Sequence, residues 1–184
     1  AGHTAALHLK RLVSKEHTVT VVSPNSQWNW IPSNIWVGVG DMPAEKVLFP
    51  LADVYQRQRI AFTQAKAVAI HPEGTDADPR PFVDVEHTSP GRAGEAGAVH
   101  YDFLINATGP KLRFEATPGM GPGGFTESVC TADHATHASA ALKASIERMK
   151  AGQPQTIVVG TGHGTCTCEG AAFEYVFNVD HTIR

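Results

Sequence analysis

The sequence predicts an α/β protein, and three observations carry that expectation. Two glycine turns stand ahead of helix-like segments, one at Ala1-Gly2 and one inside TIVVGTGHGTCTCEGAAFEY at residues 156–175. Short β-branched runs alternate with these segments, beginning with HTVTVVS. The order turn, helix, strand is that of a βαβ unit, in which helices bury their apolar side against a parallel sheet.

The first stretch, AGHTAALHLKRLVSK, reads as the tail of a glycine turn followed at once by a helix. Leu7, Leu9, Leu12 and Val13 recur at helical intervals, with Lys10, Arg11 and Lys15 on the other side. Residues 19–23 read as a strand. The strand that should open this unit would precede Ala1, so the natural chain is expected to extend beyond this start. PNSQWNWIPSNIWVGVG, with three tryptophans, two prolines and three asparagines, reads as a loop rich in stacking surface. VLFPLADVYQRQ reads as a short helix with Pro50 near its first turn.

Strand-like runs follow at 60–70, 81–88 and 99–107, separated by the polar turns EGTDADP and SPGRAGEAG. The last of them ends at ATGPK, and PGMGPGG then marks a crossing between domains. Ala138, Leu142, Ile146 and Met149 place a helix over 133–149, with Gly152 as its stop. The expected organisation is a dinucleotide-binding domain over 1–115 with its first strand missing, a crossing segment and helix over 116–154, and the start of a second such domain over 155–184.

Composition sets outer limits. With 184 residues and 42% hydrophobic content the chain can bury one substantial core. A net charge of −3 argues against a nucleic-acid backbone as partner. No apolar run reaches the length of a membrane span. Three cysteines, two of them at 166 and 168, do not make a secreted disulfide scaffold, which leaves buried thiols, a metal site or redox chemistry.

The glycine turns point to a ligand. A helix N-terminus presents unpaired N–H groups, and glycine lets a pyrophosphate approach the backbone. In the first turn Gly2 takes the second glycine position and Ala5 the small third one. No acidic residue closes the following strand, so the grip on an adenosine ribose falls to Ser23 or Asn25. Thr108 and Gly109 end the ATG run at the carboxyl edge of the sheet, where α/β folds bind ligands. The bland alternative for either turn is a tight strand-to-helix connection with no ligand.

A glycine turn at the chain start, an ATG strand end and a second glycine turn together resemble the flavoproteins with two dinucleotide-binding domains. Within that group, WIPSNIWVGVG, YDFLINATGPKLRFE and SVCTADHA resemble sulfide:quinone oxidoreductases. The resemblance implies tandem Rossmann-like domains with parallel sheets and an inserted antiparallel β-meander. It also implies FAD as cofactor, held by Gly2, Ser23, Thr108 and Gly109, with Pro32 along the flavin and Ala67 contributing backbone contacts to the adenine. Sulfide and a quinone would be the substrates, and the protein a peripheral membrane one, reaching the membrane surface through a C-terminal part outside this chain. Assembly as a homo-oligomer is a further expectation, and no nucleic-acid partner is expected.

In that family the second glycine turn lies close to a catalytic cysteine. The pattern resembles G-x-x-x-G-x-S-C-x-G-x-A-Y-E-Y, and counting back from Gly170 selects Cys168. This chain departs from it by one extra loop residue and by Glu169 in place of an aromatic neighbour. On a helix, residues two apart point about 200° from each other, so at most one of Cys166 and Cys168 faces a given target. Cys130 in CTADH is the expected second redox sulfur, against the plain reading of a small buried hydrophobe. His134, four residues on, would share its side if the segment were helical, and the resemblance gives it a proton-handling role.

Two rival chemistries stand beside this one. A type II NADH:quinone oxidoreductase would share the fold and the quinone, but thiols in its second turn would crowd a pyrophosphate. Alternatively Cys130, His134, His163, Cys166 and Cys168 would form a structural zinc site in a non-catalytic flavin-binding domain, although their spacing is not that of a known knuckle. The expectation adopted is redox chemistry with no metal.

Overall fold

The computed structural model describes residues 1–162 and 168–184. Its first elements are helix α1 (Gly2–Leu12), strands β1 (Thr20–Ser23) and β2 (Gln27–Asn29), helix α2 (Asn34–Val39), strand β3 (Leu48–Pro50) and helix α3 (Leu51–Gln58). Strands β4 (Ala61–His71), β5 (Phe82–His87) and β6 (Ala96–His100) follow, then helices α4 (Ala132–Lys150) and α5 (Gly170–Ile183). Packing gathers residues 1–28 and 50–110 into one unit and 29–49 and 111–184 into another.

The first unit is mixed α/β. β1 runs parallel to the first half of β4, with Thr20 opposite Ala61 and Ser23 opposite Gln64. The second half of β4 runs antiparallel to β5, and β5 to β6, so the sheet order is β1-β4-β5-β6. One long strand therefore serves both the parallel pair and the expected meander. A bulge between Ala67 and Ala69 follows the switch of partner, and such an extra residue bends a strand and sharpens its twist.

Neighbours in β1 serve different clusters, as the two-residue period of a strand requires. Val21 packs with Ala6, Leu51, Tyr55 and Ile60, joining α1 and α3 to the sheet. Val22 packs with Ala65, Val83 and Val85. Lys10 and Arg11 occupy the last turn of α1, where cations suit the negative end of the helix dipole. The turn between β4 and β5 is tied by Asp78, which pairs with Arg80 at 2.9 Å and His100 at 2.8 Å. Arg80 first, then His100, hold the Asp78 carboxyl well below the usual carboxylate range.

In the second unit three helices meet through small residues. Val37 and Val47 pack against Ala132 and Ala135 of α4. Val39 packs against Leu142 and Val179, backed by Ile146 and Tyr175. Gly38 has no room for a side chain, because a Cβ there would lie 2.7 Å from Val129 Cγ1 and 2.9 Å from Tyr175 Cε2. Gly40 ends α2 with φ of +88°, the left-handed region that favours glycine, and its amide donates to Val37 O at 3.0 Å.

Three expectations are corrected. Residues 24–40 are not all loop: a one-turn 3₁₀ helix with Pro32 leads into α2. Residues 104–106 are not a strand of the parallel sheet, and the run 156–159 is not a strand either. Both have strand-forming side chains, but a strand exists only with a ladder partner, and none of the described residues pairs with them. Leu104, Ile105 and Val158 accordingly remain exposed.

Candidate functional site

The candidate residues fall into two groups, one in each unit. In the first unit, Gly2 opens α1, whose N-terminus has no side-chain cap. A Cβ on Gly2 would lie 3.1 Å from the Cβ of Ala107, so the first glycine turn and the ATG run lie against each other. Thr108 and Gly109 are exposed immediately beyond. Thr108 donates through both its amide, at 3.2 Å, and its hydroxyl, at 2.9 Å, to Asn106 Oδ1. Gly109 has φ of +71°, which turns the chain away from the run.

Ser23 closes β1, and its hydroxyl is engaged locally, accepting from the amide of Asn25 at 3.3 Å. Ala67 lies beyond Gln64, the register partner of Ser23, and is exposed. Both residues therefore stand at the carboxyl end of the parallel pair, the end at which α/β sheets receive ligands. His3, not singled out in the sequence, stacks on Trp28 at 5.2 Å and pairs through Nδ1 with the hydroxyl of Tyr55 at 3.1 Å. Burial pushes the His3 pKa down and that of Tyr55 up.

The second unit holds the sulfur. Cys130 and Cys168 are both exposed free thiols, and each stands two residues ahead of a helix, α4 and α5 respectively. The amide of Cys130 donates to Ser128 Oγ at 3.1 Å, and the carbonyl of Cys168 accepts from Ala171 at 3.4 Å. Because α4 begins at Ala132, after Cys130, the helical spacing that would set His134 beside the cysteine does not apply. His134 instead presents its ring to Phe114 in an edge-on contact at 5.6 Å. Its Nδ1 is buried with no hydrogen-bond partner among the described residues.

Pro32 is exposed in the turn before α2. Cys166 and His163, on which the choice between cysteines and the zinc alternative depended, lie outside the described residues. Among the described residues no three His, Cys, Asp or Glu side chains gather as metal ligands.

The sequence also did not reveal a pair of amides. Asn29 and Asn34 exchange side-chain hydrogen bonds of 2.9 and 3.1 Å, and Asn29 Oδ1 accepts from the amide of Ala132 at 3.2 Å. This bond ties NWIPSN to the start of α4, 103 residues apart in the chain. A single sequence offers no signal for such a bond, since both asparagines sit in what reads as a loop.

No protein-family model matches the chain. In sequence it is 26% identical over 183 residues, all of its length, to a sulfide-quinone reductase of Aquifex aeolicus (strain VF5). In structure it is similar to the X-ray structure of the sulfide:quinone oxidoreductase from the hyperthermophilic bacterium Aquifex aeolicus, with a TM-score of 0.72, 26% identity and 95% of this chain covered. The likeness is to sulfide:quinone oxidoreductases. This chain spans 37% of the sulfide-quinone reductase's length and 35% of the solved sulfide:quinone oxidoreductase chain. Two of the three stretches that carried the resemblance, WIPSNIWVGVG and SVCTADHA, prove to be packed neighbours in the second unit. The third, YDFLINATGPKLRFE, contributes Ala107 to the surroundings of Gly2.

Proposed function

We propose that this chain is the amino-terminal part of an FAD-dependent sulfide:quinone oxidoreductase, which oxidises sulfide to polysulfide or sulfur and passes the electrons to a membrane quinone. The observation that carries the reading is the end-to-end likeness, 26% over 183 residues, to a sulfide-quinone reductase. In this reading residues 1–115 belong to the flavin domain, 116–154 cross over carrying Cys130, and 155–184 open a second dinucleotide-binding domain carrying Cys168.

The first unit fits FAD. An uncapped helix N-terminus leaves amide hydrogens available to a pyrophosphate, and Gly2, lacking a Cβ, lets the ATG run lie close beside that terminus. Gly2, Ser23, Ala67, Thr108 and Gly109 would hold the dinucleotide, and Pro32 would lie along the flavin. FAD would supply a two-electron acceptor.

Cys130 and Cys168 would handle the sulfur. The two are free thiols here, and in their two-electron-oxidised, bridged form attack of hydrosulfide would form one S–S bond and break another. The electron pair of the broken bond stays on the departing cysteine, which leaves as thiolate, and the other cysteine keeps the added sulfur as a persulfide. His134, with Nδ1 unpartnered, would take the proton that the arriving sulfide sheds. Among the described residues no helix is long and apolar enough to cross a membrane; contact with the membrane surface is assigned to a part of the protein outside this chain.

The test is an anaerobic titration of the flavin-loaded full-length protein. Sulfide should bleach the flavin absorbance and added quinone should restore it, while NADH leaves the spectrum unchanged. Bleaching by NADH and not by sulfide would replace this reading with an NADH:quinone oxidoreductase.

A further inference from the structure

We propose that Asn29 is the positioning residue of Cys130, an inference that rests on the redox role given to that cysteine above. A side-chain amide has two N–H donors and an oxygen with two lone pairs. Asn29 uses all four: Nδ2 donates to Asn34 Oδ1 at 2.9 Å and to Val47 O at 3.3 Å, while Oδ1 accepts from Asn34 Nδ2 at 3.1 Å and from Ala132 N at 3.2 Å. Its orientation is fixed by the backbone partners, since Val47 O can only accept and Ala132 N can only donate.

Ala132 is the first residue of α4 and follows Cys130 by two positions. Its amide is one of those a helix start leaves without an internal partner. The segment 128–134 is otherwise tied within itself, by Cys130 N to Ser128 Oγ at 3.1 Å and by His134 N to Thr131 Oγ1 at 3.2 Å. Among the described residues, the Asn29 bond is the one hydrogen bond that holds this cysteine-bearing segment to a distant part of the chain. Asn34, fully buried, completes the amide pair but makes no bond to the segment.

The roles of the two asparagines therefore separate. Asn29→Asp keeps the shape and the acceptor for Ala132, but it loses both donors and sets a carboxylate against Asn34 Oδ1 and Val47 O. Asn29→Ser leaves a hydroxyl too short for the same reach. Asn34→Ser breaks the amide pair and leaves the Ala132 bond in place.

The experiment compares these variants in the full-length flavoprotein. Thermal midpoint and flavin content are measured together with sulfide-dependent quinone reduction and the rate at which iodoacetamide alkylates Cys130 in the reduced protein, read by peptide mass. In both Asn29 variants sulfide turnover should fall about tenfold or more with KM for quinone unchanged, the scale expected when a reacting group is misplaced. Cys130 should alkylate faster as its segment loosens. Asn34→Ser should lower the thermal midpoint comparably while keeping turnover and alkylation at the parent level. If Asn29→Asp does not fold, Asn29→Ser provides the same reading. Turnover that simply follows the thermal midpoint across all variants, or alkylation unchanged in the Asn29 variants, overturns the proposal. A parent protein inactive with sulfide defeats the redox reading instead, and the alkylation rates still decide whether Asn29 positions Cys130.

Discussion

The hydroxyl of Tyr175 donates to the carbonyl of Gly38 at 3.1 Å, and the same ring fills the space where a side chain on Gly38 would go. This contact ties α5 to α2. Gly38→Ala would gain about 1 kcal/mol of helix propensity. It would also force Val129 and Tyr175 apart, an overpacking that costs about 1–3 kcal/mol. The expected net result is a loss of about 1 kcal/mol, and Tyr175→Phe should cost a similar amount through the lost hydrogen bond. Urea unfolding of both variants checks this; a more stable Gly38→Ala protein would mean that α2 and α5 do not meet as described.

Gly2 and Ala107 make the corresponding test in the first unit. Gly2→Val places branched carbons where a Cβ alone already comes within 3.1 Å of Ala107. It should abolish flavin binding while leaving the β4–β6 meander folded. Flavin occupancy from the visible spectrum and backbone structure from circular dichroism read the two effects apart. Full occupancy in the variant would remove Gly2 from the cofactor site.

Serine replacements distinguish the cysteines. Cys130→Ser and Cys168→Ser should each lose most sulfide-dependent quinone reduction and retain FAD, because serine keeps the size but cannot relay sulfur. Cys166→Ser should remain active. A dead Cys166→Ser beside an active Cys168→Ser would show that the extra loop residue shifts the register.

The His3–Tyr55 pair gives the first unit a pH signature. Burial lowers the folded pKa of His3 below 6.5, so its contribution to stability is present above pH 6.5 and is lost as the pH falls through the folded value. Burial raises the folded pKa of Tyr55 above 10.0, so its contribution is present below pH 10.0 and is lost as the pH rises through the folded value. Tyr175, raised by burial and then by the charge of Glu127, adds to the alkaline limb. A thermal-midpoint profile against pH should flatten on the acid side in His3→Gln and on the alkaline side in Tyr55→Phe. Unchanged limbs in both would mean the pair is solvated.

What the sequence revealed depended on repetition. α4 shows its apolar side at Ala138, Leu142 and Ile146 over 19 residues, long enough for the helical period to register. The meander is legible because turn residues bracket each strand. α2 is not, because six residues hold too little of a period and Gly38 argues against a helix. Its helicity comes from packing and from the left-handed turn at Gly40, which no local rule anticipates. Residues 104–106 and 156–159 failed in the opposite way, having β propensity without a described partner. Of the candidate site, the glycine turn, the ATG run and the cysteines could be named from the sequence. The Asn29 amide could not, since its partners lie at 34, 47 and 132 and meet only in three dimensions.

The chain's division into two discontinuous units has a consequence during synthesis. The segment 29–49 belongs with 111–184, so α2 emerges long before α4, against which it packs. At translation rates of about 5–20 residues per second, the roughly 90 residues between Val39 and Ala132 leave α2 waiting about 5–20 s. For that interval Val37 and Val39, buried in the finished protein, have no α4 to cover them on the nascent chain. A ribosome-associated chaperone would find its binding segment there, and pausing translation before Ala132 would lengthen that engagement.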